Sequence, residues 1–316
     1  MLRFLHTLCL LIALVTTASA ADFGCHWMSH PAPDDTSHVW FRRTFVAAEP
    51  IATAYIHVAT TGRFVLYVNG RNVSTALFVP NRTAKDTTAV ALAFDIRRFL
   101  RPDTNTVALL YCPSVRTRRQ LSVCFYGTTA DSARFAFYGD DTWLCRKADT
   151  WLRSDGGETM NRGVYAYRWT DTEQPLALWL AAEEYVPTVP IPLKDNGLSA
   201  EDIYGYSPIR INPLTDDAPH IRSVTAPLFV EQTDRRLVAH LVPGFRGIVR
   251  VTLRGCRCGE RIRIGSLLYT CSGEMDEQAF ARFSLTTQNT IVISGDHDFR
   301  TEQVVEIGAA NLNFEF

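Results

Sequence analysis

The feature that most constrains this chain is the two-residue period of apolar side chains across residues 39–73. Three short segments within this stretch place an apolar side chain at every second position, the pattern typical of half-buried β-strands. The third segment contains Leu66 and Val68 and runs into Asn69-Gly70. This pair tolerates positive φ at both positions, so it closes a two-residue hairpin with the twist that antiparallel strands require. The stretch is therefore predicted to be a β-meander.

The same period recurs along the chain and predicts an all-β fold with two antiparallel β-sandwich domains. In the first half the alternating apolar positions are Val90, Leu92, Phe94 and Ile96, then Val107, Leu109 and Tyr111, then Leu121, Val123, Phe125, Phe135 and Phe137. In the second half they are Leu237, Leu241, Val249, Val251, Leu253, Ile262, Ile264, Ile291 and Ile293. A further strand is predicted at Tyr165, Tyr167 and Trp169, and a single short helix at residues 176–184.

Several of these segments occur together in one known family. They are the Phe41-Arg42-x-x-Phe45 strand, the Leu66-Tyr67-Val68-Asn69-Gly70 hairpin, Asp95 followed by Asn105 and an apolar strand, and Trp143 followed by Gly156-Gly157-Glu158. In these features the chain resembles the N-terminal region of bacterial α-L-rhamnosidases. The resemblance implies that the first domain is a galactose-binding-like jelly roll. Residues 241–278 resemble, more loosely, the β-sandwich that precedes the catalytic barrel of such enzymes.

The composition along the chain predicts four regions. Residues 1–20 have a basic residue, an apolar run and Ala18-Ser19-Ala20, the layout of a secretory signal peptide, so we expect a periplasmic or extracellular protein. The apolar run is too short for a membrane span. Residues 21–188 would form the jelly roll and residues 226–316 the second sandwich. Between them, residues 189–225 are rich in proline and carry aromatic side chains, which predicts a packed linker.

Charge and motifs exclude several classes of function. The 32 Lys and Arg residues nearly balance the 33 Asp and Glu residues, so the sustained basic field that nucleic acid requires is absent. No glycine-rich nucleotide motif, nucleophile elbow or HExxH sequence is present, and no cofactor is expected. No metal site is expected either, because Cys256-Arg-Cys258 lacks the spacing of a zinc knuckle. These two cysteines are read either as buried thiols or as partners of one bridge to Cys271.

The tryptophans and a neighbouring carboxylate are the candidate carbohydrate-binding residues. Trp143, Trp151, Glu158 and Trp169 lie close together in sequence, and sugars bind to flat aromatic surfaces beside hydrogen-bonding groups. The opposing interpretation is that a tryptophan on an alternating strand fills the sandwich core. Trp151, flanked by charged residues, is the best candidate for exposure.

The second half carries two further charged patterns. Arginines alternate with apolar residues at positions 250, 254, 261 and 263, which fits either a site for an anionic substrate or a salt-bridged sheet face. Glu274, Asp276 and Glu277 are interpreted as first-turn residues of a helix. Their functional alternative is a general acid–base pair.

Two classes of function follow. The first is a secreted, non-catalytic carbohydrate-binding or accessory protein, with a glycan or oligosaccharide as ligand and a partner glycosidase as a further expectation. The second is a glycoside hydrolase acting on rhamnose-containing or other plant glycans, with a carboxylate site between the β-domains. In the family that the chain resembles, hydrolysis by a general acid and a general base is carried by a large (α/α)-barrel. No succession of amphipathic helices here would build one, so no acidic motif of that barrel can be carried over.

Overall fold

A computed structural model describes residues 27–47, 49–81, 89–114, 121–172, 177–185 and 218–314. These residues form β-strands and three short 3-10 helices (Arg97–Phe99, Arg162–Val164 and Thr301–Gln303), with no α-helix among them. The strands of the first half are β1 (Trp27–Ser29), β2 (Ser37–Val46), β3 (Ile51–Thr60), β4 (Arg63–Val68), β5 (Arg71–Asn72), β6 (Val90–Asp95), β7 (Thr104–Cys112), β8 (Leu121–Thr129), β9 (Arg134–Tyr138), β10 (Leu144–Leu152), β11 (Glu158–Asn161), β12 (Leu180–Ala181) and β13 (Glu183–Tyr185). The strands of the second half are β14 (His220–Thr225), β15 (Phe229–Thr233), β16 (Arg236–His240), β17 (Gly247–Arg254), β18 (Arg261–Ile264), β19 (Leu267–Thr270), β20 (Asp276–Phe280), β21 (Thr290–Gly295) and β22 (Val304–Asn313).

The first half is a β-sandwich. A six-stranded sheet in the order β13-β1-β8-β3-β6, with β9 beside β8, packs against β10, β2, β7 and β4 of a larger sheet. Alternate residues of each strand point into the core between the two sheets, including Phe41, Ile56, Leu109 and Phe125. The period-two pattern of the sequence thus marks the buried faces of both layers.

The second half is a smaller β-sandwich. A four-stranded sheet, β14-β22-β17-β20, packs against β16, β21, β18 and β19. Ala239, Val251, Ile262 and Ile293 lie in the core between them. The predicted all-β class with two antiparallel sandwiches is confirmed.

One large sheet connects the two sandwiches. β11 of the first half runs parallel to β19 of the second half, with Thr159 beside Leu268 and Asn161 beside Thr270. This is the one parallel pair among the strand pairings of the described residues, and it makes a twelve-stranded sheet shared by both sandwiches. The division of the chain at residues 188 and 226 stays a prediction. The last six residues of the predicted linker, His220–Thr225, form strand β14.

The predicted β-meander over residues 39–73 is wrong. β2 lies between β7 and β10, and β4 lies on the other side of β7, whereas β3 belongs to the facing sheet between β6 and β8. Consecutive strands therefore alternate between the two layers of the sandwich. A period of two reports that each strand has one buried face, and it holds no information on which strand is the neighbour.

The Asn69-Gly70 hairpin is confirmed, and its asparagine has a second role. Both residues have positive φ, 51° and 78°, between β4 and β5. The Asn69 Nδ2 donates to Asn105 Oδ1 (2.8 Å), and Asn69 Oδ1 accepts from the Thr106 backbone N–H (2.9 Å). The Asn105 amide in turn donates to the carbonyls of Arg101 and Asp103 and accepts from the Arg101 N–H. Asn69 and Asn105, both buried, therefore form a structural latch at this end of the sandwich.

Three local predictions are wrong for one shared reason. The predicted helix at residues 176–184 is, in its described part, a turn followed by β12 and β13, which pair with β10 and β1. The predicted strand at Tyr165–Trp169 is a turn, with Arg168 at φ 58°. Of the residues expected in a helical first turn, Glu274 lies in the loop before strand β20, and Asp276 and Glu277 are the first two residues of that strand. In each case, pairing with or packing against distant strands overrides the local preference.

The predicted signal peptide, residues 1–20, lies outside the described residues. Within the described part of the chain, no helix has the length and apolar character needed to cross a membrane.

Candidate functional site

A groove of about 610 Å³ opens on the outer face of the large sheet, where the two sandwiches meet. We call it the junction groove. Its walls come from β10 and β11 of the first half and from β18, β19 and β21 of the second half, through Trp151, Thr159, Asn161, Arg261, Arg263, Leu268, Thr270 and Ser294. The site therefore exists only because β11 and β19 pair.

Strand register places the groove residues in rows. Trp151 pairs with Thr159, Thr159 lies beside Leu268, Leu268 pairs with Arg263, and Arg263 pairs with Ser294. A second row joins Asn161, Thr270 and Arg261. The residues between them on each strand, such as Met160 and Ile262, point into the core. The outward positions of these strands thus bring the Trp151 ring, several neutral hydrogen-bonding side chains and two guanidinium groups to one face.

Of the three candidate tryptophans, only Trp151 lines the groove. Trp143 is 1% exposed and donates its ring N–H to the Tyr138 carbonyl (2.9 Å) inside the first core. Trp169 is 4% exposed and stacks on Trp40 with ring centroids 5.4 Å apart. The ring of Trp151 is half-buried beside the groove. The core interpretation therefore describes Trp143 and Trp169, and Trp151 is the ring available to a ligand.

Glu158, the candidate carboxylate, lies in the interior between the sandwiches. It is fully buried, and its carboxylate accepts from the backbone N–H groups of Arg282 (2.8 Å) and Phe283 (2.6 Å). Burial raises the pKa of Glu158, and the backbone hydrogen bonds oppose this rise. Glu158 belongs to β11, and its donors follow β20, so the side chain ties one sandwich to the other rather than facing the groove.

The glycine pair before Glu158 allows the two halves to approach closely. A Cβ added at Gly157 would lie 2.4 Å from the Ser266 carbonyl oxygen. The backbone at Gly157 therefore packs against the second half with no room for a side chain. Gly156 adopts a φ of 81°, which a glycine reaches without strain. The Ser284 hydroxyl also donates to the Gly156 carbonyl (2.9 Å). The Gly-Gly-Glu turn is therefore part of the junction between the sandwiches.

The alternative acid–base residues do not converge on one point. Glu277 is buried and accepts from the Tyr269 hydroxyl and from the backbone N–H groups of Ser272 and Gly273, at 2.8 to 2.9 Å. Asp276 precedes it on the opposite face of β20 and pairs with Arg254 (2.7 Å), which lowers the pKa of Asp276. Glu274 accepts from the Tyr167 hydroxyl. Each carboxylate has a different partner in a different direction.

The arginines of the second half fall into two groups. Arg250 pairs with Glu306 (3.2 Å) and Arg254 with Asp276, both on the four-stranded sheet, as the salt-bridged interpretation predicts. Arg261 and Arg263 project from β18 into the junction groove, and neither guanidinium has an ion pair or hydrogen bond to the described residues. None of the residues that line the groove carries a carboxylate.

Potential metal ligands come together at one place in the described part of the chain. One cluster there, Asp296, His297 and Asp298, brings three ligand atoms together at an exposed turn. Its carboxylates already have partners, because Asp296 accepts from the backbone N–H groups of Arg261 and Asp298, and Asp298 pairs with Arg257. Cys256, Cys258 and Cys271 carry free thiols; the first and third are buried, and Cys258 is exposed.

Sequence reasoning did not find Thr159, Asn161, Thr270 and Ser294. Each occupies an outward position of an alternating strand, so the sequence carried a signal that these side chains face away from the core. That they face one another depends on the pairing of β11 with β19, across more than a hundred residues of chain.

Comparison with known proteins finds a family model that is similar to most of the first half. Residues 49–189 match the model described as the Alpha-L-rhamnosidase N-terminal domain, which confirms the resemblance seen in the sequence. No curated protein matches the chain.

Solved structures of α-L-rhamnosidases share the fold. Those from Dictyoglumus thermophilum (15% identity, TM-score 0.74), Streptomyces avermitilis (17%, 0.71) and Aspergillus terreus (14%, 0.71) cover 93%, 90% and 92% of this chain. The chain spans 36%, 29% and 36% of their respective lengths, about a third in each case. The likeness therefore extends through both sandwiches and stops short of the rest of those proteins.

Proposed function

We propose that this chain, whose residues 49–189 are similar to the N-terminal domain of α-L-rhamnosidases, is a carbohydrate-binding accessory protein that uses the junction groove. The observation that carries the proposal is the half-buried ring of Trp151 at one end of a groove whose other side chains donate and accept hydrogen bonds. Sugars have apolar C–H faces and many hydroxyls, so an aromatic ring beside Thr, Asn and Ser side chains suits both parts of a sugar ring.

Binding without hydrolysis follows from the same side chains. Inverting or retaining hydrolysis of a glycosidic bond needs two carboxyl groups facing each other across the bond. The groove residues supply none, and Glu158, Glu274, Asp276 and Glu277 each have other partners. The groove would therefore hold a glycan without cleaving it.

The test is a titration of neutral and acidic oligosaccharides, including rhamnose-containing pectin fragments, against wild type and Trp151→Ala. Loss of one stacking ring weakens binding by about 1 kcal/mol, or about fivefold in affinity. Tyr167→Ala is the matched control, because Tyr167 is an exposed aromatic residue outside the groove. Thermal melting verifies that both variants are folded.

Two results would count against the proposal. Equal affinities for wild type and a folded Trp151→Ala variant would remove the groove as the binding site. Sugar release by the wild type, above that of a heat-killed control, would favour the hydrolase interpretation.

The proposal includes export from the cytoplasm. The basic, apolar and small-residue segments of residues 1–20 support it. N-terminal sequencing of protein from its native host should begin near Ala21, and a sequence that begins at Met1 would contradict export with cleavage.

A further inference from the structure

We infer that the junction groove selects acidic glycans, with Arg261 and Arg263 binding the carboxylate groups of uronic acid units. The inference rests on the proposed function, because it names the ligand class for the same groove. It is carried by two exposed guanidinium groups in a groove without a carboxylate, at fixed positions relative to Trp151.

The strand neighbours of these arginines explain why both charges remain available. Arg263 lies between Leu268 and Ser294, so both of its cross-strand neighbours are neutral. Arg261 lies beside neutral Thr270 on one side, and on the other side its backbone is hydrogen-bonded to Asp296. Arg254, in contrast, lies directly across from Asp276 and pairs with it. Cross-strand pairs are where a sheet normally neutralises its charges, and Arg263 has no acidic residue in either cross-strand position.

The acidic residue beside Arg261 at the sheet edge, Asp296, already accepts two backbone hydrogen bonds. Asp296 follows β21 and accepts from the backbone N–H of Arg261 (2.9 Å) and from that of Asp298 (3.2 Å). It forms no salt bridge with the Arg261 guanidinium. An incoming carboxylate would therefore meet two planar donor groups that need no rearrangement of existing ion pairs.

Register sets the length of the ligand. Trp151 and Arg263 lie on one row, separated by three strand spacings, or about 14 Å along the sheet. A monosaccharide is too short to contact both. The ligand is therefore an oligosaccharide in which one unit stacks on Trp151 while an acidic unit further along contacts Arg263 or Arg261.

The experiment compares galacturonic acid oligomers with the same oligomers after methyl esterification, by calorimetry at low ionic strength. Esterification removes the charge and keeps the sugar chain. We expect tighter binding of the acid form, with a loss of about fivefold for each of Arg261→Gln and Arg263→Gln. Binding of the ester should be unchanged in both variants. Arg222→Gln is the matched control, because Arg222 is an exposed arginine on β14, outside the groove.

Salt and chain length give two further readouts. Added salt should reduce the preference for the acid form, since exposed charge interactions are screened. Monomeric galacturonate should show a much weaker preference than the oligomers.

The outcomes separate the inference from the proposed function. Equal affinity of wild type for acid and ester would overturn the acidic-glycan inference and leave glycan binding intact. Absence of binding to any oligosaccharide would overturn the proposed function itself. Binding of heparin or polyphosphate as tight as that of the acid oligomers, and unaffected by Trp151→Ala, would overturn the inference in favour of general polyanion binding.

Discussion

The latch formed by Asn69 and Asn105 gives the most direct test of how this fold is held together. Asn105 is fully buried, and its side-chain amide takes part in four hydrogen bonds, with Asn69, with the Arg101 N–H and with the carbonyls of Arg101 and Asp103. Its partners lie on the loop between β6 and β7 and at the β4–β5 hairpin. Asn105→Ala removes all four hydrogen bonds at once and leaves the space of the amide group empty.

The expected loss of stability follows from that count. A neutral hydrogen bond contributes about 0.5–1.5 kcal/mol net, and a buried polar group left without a partner costs about 1–3 kcal/mol. Asn69 keeps its bond to the Phe99 carbonyl, so not every partner is stranded. We therefore expect Asn105→Ala to lower the free energy of unfolding by about 3–5 kcal/mol. Asn105→Asp keeps the size of the side chain and loses both donated bonds, so it should destabilise nearly as much.

The measurement is urea unfolding followed by tryptophan fluorescence. Asn72→Ala is the matched control, because Asn72 is exposed in the same hairpin and its side chain accepts one bond, from the Ser74 N–H (3.2 Å). It should change the free energy of unfolding by less than about 1 kcal/mol. The reasoning would be refuted if Asn105→Ala and Asn72→Ala unfolded at the same urea concentration.

Three further predictions concern the interior and the thiols. Burial lowers the pKa of His38 and His57 to about 3, so below pH 6.5 the unfolded chain binds protons more readily than the folded chain, and the free energy of unfolding should fall by up to about 1.4 kcal/mol per pH unit for each histidine. A denaturation midpoint that does not change with pH in this range would contradict this prediction. Gly157→Ala should lower the free energy of unfolding by about 1–3 kcal/mol and weaken glycan binding, because the new Cβ would clash with the Ser266 carbonyl. An unchanged melting temperature and unchanged binding would show that the junction accommodates the extra methyl group. Among the cysteines of the described residues only Cys258 is exposed, so brief alkylation of the native protein followed by peptide mapping should find Cys258 modified far more than Cys112. Similar extents of alkylation at the two cysteines would argue against this burial pattern.

Sequence alone indicated the apolar, buried face of the alternating strands and where one tight turn lies. The two-residue period is a local property, since successive side chains of a strand point to opposite faces whatever its neighbours are. The Asn69-Gly70 turn is equally local, because it depends on backbone preferences of two residues. For the same reason the amino-acid sequence was sufficient to recognise the all-β class and the family resemblance that rests on these short segments.

Strand neighbours were decided only by the tertiary structure. The meander was predicted because β2, β3 and β4 follow one another in sequence, yet they divide between two facing sheets. The short helix was predicted from residues whose backbone groups instead pair with β10 and β1. Which strand completes these hydrogen bonds depends on the packing of the whole core, which no window of about ten residues contains.

The candidate site shows the same division. Trp151 was identified from its charged flanks, but Glu158, adjacent to it in the predicted site, proved to be a buried tie between the sandwiches. The arginines at positions 254 and 263 look alike in sequence. One has an aspartate as its cross-strand neighbour, and the other has a leucine and a serine. The residues on the neighbouring strands decide whether an arginine has an acidic partner. Only the register of β18 with β19 and β21 therefore decided that the groove is cationic.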